Sequence, residues 1–234
     1  MNISMQYYPI FLNIKGRNCL VVGGGEVGTR KVHMLIECGA SVTVVSIDAT
    51  ETLKRLFENQ GITLLLRPYR SSDLDRQFLI IGATNDEELN QQISRDAEKR
   101  NLLYNIADRP AACNFILPAI VRQGDLVMAI STSGKSPAFA KKLRKDLEKQ
   151  FGEAYAFFLD LMGAIRDRLL SEKHAPEQHK PLFQQIIHSD IILWIENRQV
   201  QEIDRLLLDV LGPGYTVEEL LKPGFCHSPT EGAK

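Results

Sequence analysis

The stretch Cys19-Leu20-Val21-Val22-Gly23-Gly24-Gly25-Glu26-Val27-Gly28 limits what this chain can become more than any other. It reads as an apolar strand, a glycine-rich turn and the start of a helix. Gly23, Gly25 and Gly28 fit the spacing G-x-G-x-x-G, in which the three glycines serve a tight turn, close approach of backbone to a pyrophosphate, and close helix–strand packing. The helix beginning near Glu26 and Val27 would aim its free N–H groups and positive dipole end at the phosphates. An alternating apolar strand, residues 41–47, follows that helix, and Asp48 lies at its end, 20 residues after Gly28. An acidic side chain there accepts hydrogen bonds from ribose hydroxyls. No Arg or Lys follows within five residues to hold a 2′-phosphate, so NAD is favoured over NADP. The plainer reading is that Asp48 caps the next helix, with Thr50 as its rival.

The rest of the N-terminal half keeps the same alternation. Residues 7–14 form an extra strand or an arm across the sheet. A helix over 26–38 carries Val27, Met34 and Leu35 at helical spacing, and Gly39 ends it. A second helix over 50–59 shows Leu53, Leu56 and Phe57 on one face. Strands follow at 62–66, 78–83 and 102–107, the second of them an unbroken apolar run suited to burial on both faces. Thr84-Asn85-Asp86 caps the helix between the last two strands, which carries Leu89, Ile93 and Ala97 four apart. Such alternation predicts a parallel, doubly wound sheet.

At Pro110 the pattern changes. Residues 114–121 and 126–131, joined by Arg122-Gln123-Gly124-Asp125, read as an antiparallel hairpin. Ser131-Thr132-Ser133-Gly134-Lys135-Ser136-Pro137 leads into a basic helix with Lys141, Lys142, Arg144, Lys145 and Lys149; Ser136 is its N-cap and Pro137 its first residue. From Phe151 to Leu221 the spacing is helical throughout, and the tail from Lys222 is expected to be disordered. The fold class is therefore α/β: a Rossmann-type NAD-binding domain over 1–112, a hairpin-containing segment over 113–150, a helical domain over 151–222, and the tail.

Bulk properties exclude several classes of function. With 234 residues and a net charge of -1, nothing marks nucleic acid as a partner. Apolar runs such as Ile191-Ile192-Leu193-Trp194-Ile195 are too short to span a bilayer, and residues 1–15 lack the features of a signal peptide, so a cytoplasmic protein is expected. Cys19, Cys38, Cys113 and Cys226 form no C-x-x-C pair and read as reduced packing residues. His33, His174, His179, His188 and His227 show no ligand spacing, so no resident metal site is expected.

In open α/β sheets ligands bind at the carboxyl ends of the strands. Besides the glycine loop and Asp48, this places Thr84, Asn105 and Asp108 at a binding cleft. Asp108, directly after the fifth strand, suits a general base because a half-buried carboxylate has a raised pKa. It equally suits a turn cap or a partner for Arg109. Ser131, Thr132, Ser133 and Lys135, beside the basic helix, suit an anionic substrate, although most charge runs are simply solvated.

Together these residues resemble one family. Pro9-Ile10-Phe11-Leu12, the run from Val21 to Lys31, Gly82-Ala83-Thr84-Asn85-Asp86, Asn105-Ile106-Ala107-Asp108, Asn114-Phe115-Ile116-Leu117-Pro118-Ala119 and the run from Ser131 to Pro137 are similar to the precorrin-2 dehydrogenase/sirohydrochlorin ferrochelatase family. This is the dehydrogenase–chelatase module of siroheme synthase, here expected as a stand-alone chain without the methyltransferase domain. The resemblance implies NAD-dependent oxidation of precorrin-2 to sirohydrochlorin in siroheme synthesis, followed in some members by insertion of Fe(II) as a substrate. It implies a homodimer interlocked through the segment after the Rossmann part, and it makes Asp108 the aspartate that serves both steps. Glu26, Val27, Ile47 and Asp48 match positions that contact NAD, and Thr132 aligns with a serine of the substrate loop. Two departures stand out: Ile47-Asp48 replaces a frequent Pro-Glu, and Ser131-Thr132-Ser133-Gly134 replaces Ser-Ser-Gly-Gly. Two other readings stay open, a dehydrogenase served by a separate chelatase and an NAD-binding regulatory module without catalysis.

Overall fold

The computed structural model describes residues 6–107, 109, 112–172 and 176–221. Contacts divide the chain into two units, residues 1–117 and 118–234.

In the first unit, strands β1 (Asn18–Gly24), β2 (Ser41–Ala49), β3 (Thr63–Leu66), β4 (Leu79–Gly82) and β5 (Leu103–Ile106) alternate with helices α1 (Glu26–Glu37), α2 (Glu51–Glu58) and α3 (Glu87–Glu98). The strands form one parallel sheet in the order β3-β2-β1-β4-β5. The two-residue period of β1 explains the layering. Cys19 and Val21 face a core with Val32 and Leu35 of α1 and Leu53 of α2, whereas Leu20 and Val22 face a second core with Ile93 and Ala97 of α3. Burial also holds the Cys19 thiol at a pKa of about 11, with Cys38 adding to the effect, as fits a reduced packing residue.

Local chemistry places the helix starts. Thr50 accepts the Leu53 N–H at the start of α2, and Asp86 accepts that of Leu89 at the start of α3. Three details differ from the sequence reading. Gly28, Thr29, Val32 and Leu35 form the buried stripe of α1, while Met34 is exposed. The close approach of this helix to β1 selects the small residues instead of the largest apolar ones. Strand β2 runs on to Ala49 through a register shift against β1 between Val22 and Gly24. Residues 7–14 form no strand; Ile14 is buried, whereas Tyr8 and Phe11 are exposed.

In the second unit, strands β6 (Ala119–Gln123) and β7 (Leu126–Ile130) form the antiparallel hairpin, turning at Gly124 with φ +57°. They pack on helices α4 (Pro137–Gln150) and α5 (Glu153–Ser171). The hairpin is shorter than its apolar pattern suggested, because residues 114 and 115 are bonded to β5 instead. Ser136 caps α4 by accepting the Phe139 N–H, and Pro137 opens it. Four more helices follow, α6 (Pro176–Ile187), α7 (Ile191–Glu196), α8 (Val200–Leu211) and α9 (Val217–Leu220). With α5 they enclose Leu161, Ile165, Leu169, Ile186, Ile191, Ile203 and Leu207. No helix among the described residues is long and apolar enough to cross a membrane. The tail from Lys222 lies outside the described residues.

Candidate functional site

The glycine turn after β1 assigns a different neighbour to each glycine. Gly23 has φ +116°, and a Cβ there would run into the Ala83 carbonyl. A Cβ on Gly28 would collide with the Gly23 carbonyl, which is what lets the first turn of α1 rest on β1. A Cβ on Gly25 meets nothing, because this residue is exposed to an open cleft. No side chain caps the start of α1, so its first N–H groups are left for an anion. Gly24 N–H donates to Ser46 Oγ at 2.9 Å, tying the turn to the end of β2.

The cleft has a volume of about 940 Å³ and is built within the first unit, along the carboxyl ends of β1 to β4. Gly23, Gly25, Glu26 and Val27 line its floor, Ser46 and Ile47 one wall, and Thr84 with Asn85 the other. Gly28 sits beneath. The Thr84 hydroxyl is engaged with Asp86 and with Asn90 Oδ1, and buried Asn90 donates back to the Thr84 carbonyl at 2.9 Å. This pair fixes the loop after β4.

Asp48 stands outside the cleft lining. Its Oδ1 accepts the Ala49 N–H at 2.7 Å, and the helix cap is Thr50. Asn105 is 9% exposed, and its amide donates to the Phe115 carbonyl at 3.0 Å, an internal role rather than a place on the cleft. Asp108 lies outside the described residues. Its neighbours in sequence are described: Ala107 N–H donates to the Gly82 carbonyl, and Arg109 pairs with Glu87 at 2.6 Å. That pair holds the Glu87 carboxyl below its ordinary range.

Ser131, Thr132, Ser133 and Lys135 belong to the second unit. Ser131 Oγ accepts the Ser133 N–H, Thr132 Oγ1 accepts the Ser136 N–H, and Ser133 and Gly134 both have positive φ. The loop is thus a tight turn in which two hydroxyls are already in use. Lys142 and Arg144 of the basic helix pair with Asp146 and Glu148, whereas Lys135 and Lys141 form no ion pair among the described residues.

Several cleft residues escaped the sequence reading: Ser46, Arg67, Tyr69, Gln92 and Arg95. Ser46 was legible in principle, one step along an alternating strand. The others come from the end of β3 and from α3, and nothing local marks them. Arg67 is held by a two-point pair with Asp73, at 2.6 and 2.9 Å. Burial pushes the Asp73 carboxyl up, but hydrogen bonds from Arg67 and the Arg70 backbone outweigh it and leave its pKa low. Burial and the Asp96 carboxylate raise the Tyr69 phenol, which donates to Asp96 at 3.1 Å. No cluster of three or more His, Cys, Asp or Glu side chains suited to a metal ion occurs among the described residues.

Comparison with known proteins agrees with this geometry. A family model described as putative NAD(P)-binding matches residues 10–119, and one for the central part of a sirohaem biosynthesis protein matches residues 123–150. The siroheme synthase of Pseudomonas fluorescens (strain SBW25) is 35% identical over 222 residues, covering 94% of this chain and 48% of that protein. That of Methylobacillus flagellatus is 36% identical over 192 residues, covering 80% and 41%. The chain thus spans less than half the length of these relatives. Among solved structures, SirC, a precorrin-2 dehydrogenase, superposes with a TM-score of 0.71 at 28% identity, covering 85% of this chain and all of that one.

Proposed function

We propose that this chain, which belongs to the family of NAD(P)-binding sirohaem-biosynthesis proteins, oxidises precorrin-2 to sirohydrochlorin with NAD as the electron acceptor. One observation carries the reading. The likeness does not stop at the nucleotide-binding half but continues through the sirohaem central segment and along the whole length of SirC. A nucleotide-sensing module would need only the first half.

The residues present fit the cofactor. Gly25 leaves room for the pyrophosphate, the start of α1 offers it N–H groups, and the wall of Ser46 and Ile47 meets the adenosine ribose. Glu26 and Val27 lie beneath it, and Thr84 closes the cleft on the other side. Bound NAD supplies a two-electron acceptor that takes hydride from the tetrapyrrole. Asp108 takes the proton that leaves with it, so that precorrin-2 and NAD⁺ give sirohydrochlorin, NADH and H⁺. The acidic substrate is held by Ser131, Thr132, Ser133, Lys135 and the lysines of α4, while Asn105 braces the end of β5 through the Phe115 carbonyl. The functional parts are those read from the sequence: 1–112 for NAD, 113–150 for dimerisation and substrate, and 151–222 as a helical domain. Two copies pair through the hairpin segment, as the family resemblance implies. We place the enzyme in the cytoplasm, with neither nucleic acid nor membrane as partner. Fe(II) insertion into the product is a second step for the same site, with iron as substrate.

The test is direct. Incubation with precorrin-2 and NAD should yield the absorbance of sirohydrochlorin, and Asp108→Ala should bind NAD yet give none. If wild type binds NAD and produces no sirohydrochlorin, the reading fails. Supplying sirohydrochlorin with Fe(II) or Co(II) decides the insertion step separately.

A further inference from the structure

The β2 wall of the cleft lacks the carboxylate that the sequence pointed to. Asp48 turns its Oδ1 to the Ala49 N–H at 2.7 Å and stands outside the lining. Its charge acts on α2 instead: the Lys54 ammonium, raised chiefly by its bond to Glu51, is raised further by Asp48. Ser46 and Ile47, which do line that wall, carry no charge, and Ser46 Oγ is already taken by the Gly24 N–H. The carboxylates of the lining, Glu26, Asp86 and Glu88, belong to the starts of α1 and α3. An acid at the end of the second strand selects a ribose 2′-hydroxyl over a 2′-phosphate. Without one in the lining, that preference lapses.

What this wall offers comes from the neighbouring strand. The register pairs Ser46 of β2 with Leu66 of β3, so Arg67 leaves the sheet beside the end of β2. It lines the cleft together with Ile47, and its side chain is 29% exposed. The guanidinium is fixed in place. Nη1 donates to Asp73 Oδ2 at 2.9 Å and to the Pro68 carbonyl at 3.0 Å, and Nη2 donates to Asp73 Oδ1 at 2.6 Å. Those bonds use one edge of the group. The Nε–H and the second Nη2 hydrogen, side by side on the adjacent edge, have no partner among the described residues. Two parallel donors of this kind match a phosphate. Asp73 offsets part of the positive charge, but it also holds the fork still, so little side-chain freedom is left to lose on binding. Arg95, exposed on α3, lines the same cleft and forms no ion pair among the described residues.

We propose, resting on the reading of the cleft as a dinucleotide site, that Arg67 sets the choice of cofactor: its free edge holds a 2′-phosphate, so the cleft admits NADP as well as NAD. The missing basic residue after Asp48 then loses its force, because the cation arrives from the adjacent strand and not from β2 itself. Arg95 adds positive charge to the same cleft. A 2′-hydroxyl asks nothing of the free edge, so NAD binding does not depend on Arg67.

Isothermal titration of the full-length chain with NAD and with NADP reads both affinities without turnover. NADP should bind within about tenfold of NAD, the margin that one charge-assisted hydrogen bond spans. Arg67→Gln should weaken NADP by about tenfold and leave NAD within about twofold, because the charged fork is lost while the amide can still donate to Asp73. If wild type binds no NAD, the reading of the cleft itself falls. If NAD binds and NADP is weaker by more than about tenfold, that reading stands and the proposal about Arg67 is overturned. An Arg67→Gln variant with unchanged NADP affinity overturns it too, as does one that weakens both dinucleotides alike, the mark of a structural role. Should Arg67→Gln fail to fold, salt decides on the wild type. Raising the salt from about 0.05 M to about 0.5 M should weaken NADP at least about threefold more than NAD, and equal weakening overturns the proposal.

Discussion

The ends of β1 and β5 solve the same problem by opposite means. Each strand runs out of the sheet at the carboxyl edge, and the backbone there has to be fixed without a neighbouring strand to do it. At β1 the turn is held by the absence of side chains: Gly23 lies against the Ala83 carbonyl and Gly28 against the Gly23 carbonyl, so neither has room for a Cβ. At β5 the strand edge is held by their presence, with Cys113 and Asn114 supplying the hydrogen bonds a neighbouring strand would give. The first means leaves backbone N–H groups pointing outward, which suits a phosphate. Backbone sterics shape the end of β1, and side-chain hydrogen bonds shape the edge of β5.

Substitutions can break this contrast, and the largest effect on folding is expected at β1. Gly28→Val should destabilise the protein by about 3 kcal/mol or more, because overpacking against a backbone carbonyl cannot relax; thermal denaturation and soluble yield would show it. At β5, Asn114→Ala removes hydrogen bonds along a partly exposed edge and should cost about 2 kcal/mol, read from urea midpoints. A wild-type midpoint would mean that water replaces the amide at no cost and that the edge needs no partner.

A third strand end sharpens the contrast, since β3 is followed by a charged tether, Arg67 to Asp73. Asp73 has a side chain only 8% exposed and a pKa lowered in the folded state. A carboxyl of this kind stabilises the fold above its ordinary value of 3.8, and that contribution is lost as pH falls through the lowered value. Asp73→Asn should therefore cost about 1.5 kcal/mol at pH 7 and almost nothing once the wild-type carboxyl is protonated, which denaturation at neutral and strongly acidic pH would compare. An equal loss at both would mean that shape, not charge, matters there.

The smallest effect on folding is expected at Gly25. Alanine there meets no atom and has an ordinary φ of -78°, so stability should change by no more than about 0.5 kcal/mol. NAD affinity should nevertheless fall by about tenfold, because the added methyl enters the space left for the pyrophosphate. Intrinsic fluorescence titration would measure it. Unchanged affinity would remove Gly25 from the cofactor site.

The same contrast explains what could be read from the chain. Glycines forced by sterics leave a fixed spacing, and strands buried on both faces leave unbroken apolar runs such as Leu79–Gly82, so sheet, helices and hairpin were all legible. The buried stripe of α1 was not, because close approach selected Gly28 and Thr29 over the larger Val27 and Met34. Asp48 sat at the expected spacing, yet β2 continues past it and its carboxylate turns to Ala49. Arg67 and Arg95 reach the cleft from elements well downstream of the glycine turn, a meeting that only the folded sheet defines. Cys113 read as packing because hydrogen bonds to a strand edge have no period along the sequence.

The central place of β1 also has a kinetic consequence. It pairs with β2 on one side and, on the other, with β4, which begins only at Leu79. During synthesis at roughly 5–20 residues per second, a strand apolar on both faces waits some seconds with one edge open before its second partner exists. The nucleotide-binding half therefore completes its sheet late, through contacts distant in sequence. Pairing β4 with the strand that bears the glycine turn is thus a non-local contact, of the kind that slows folding.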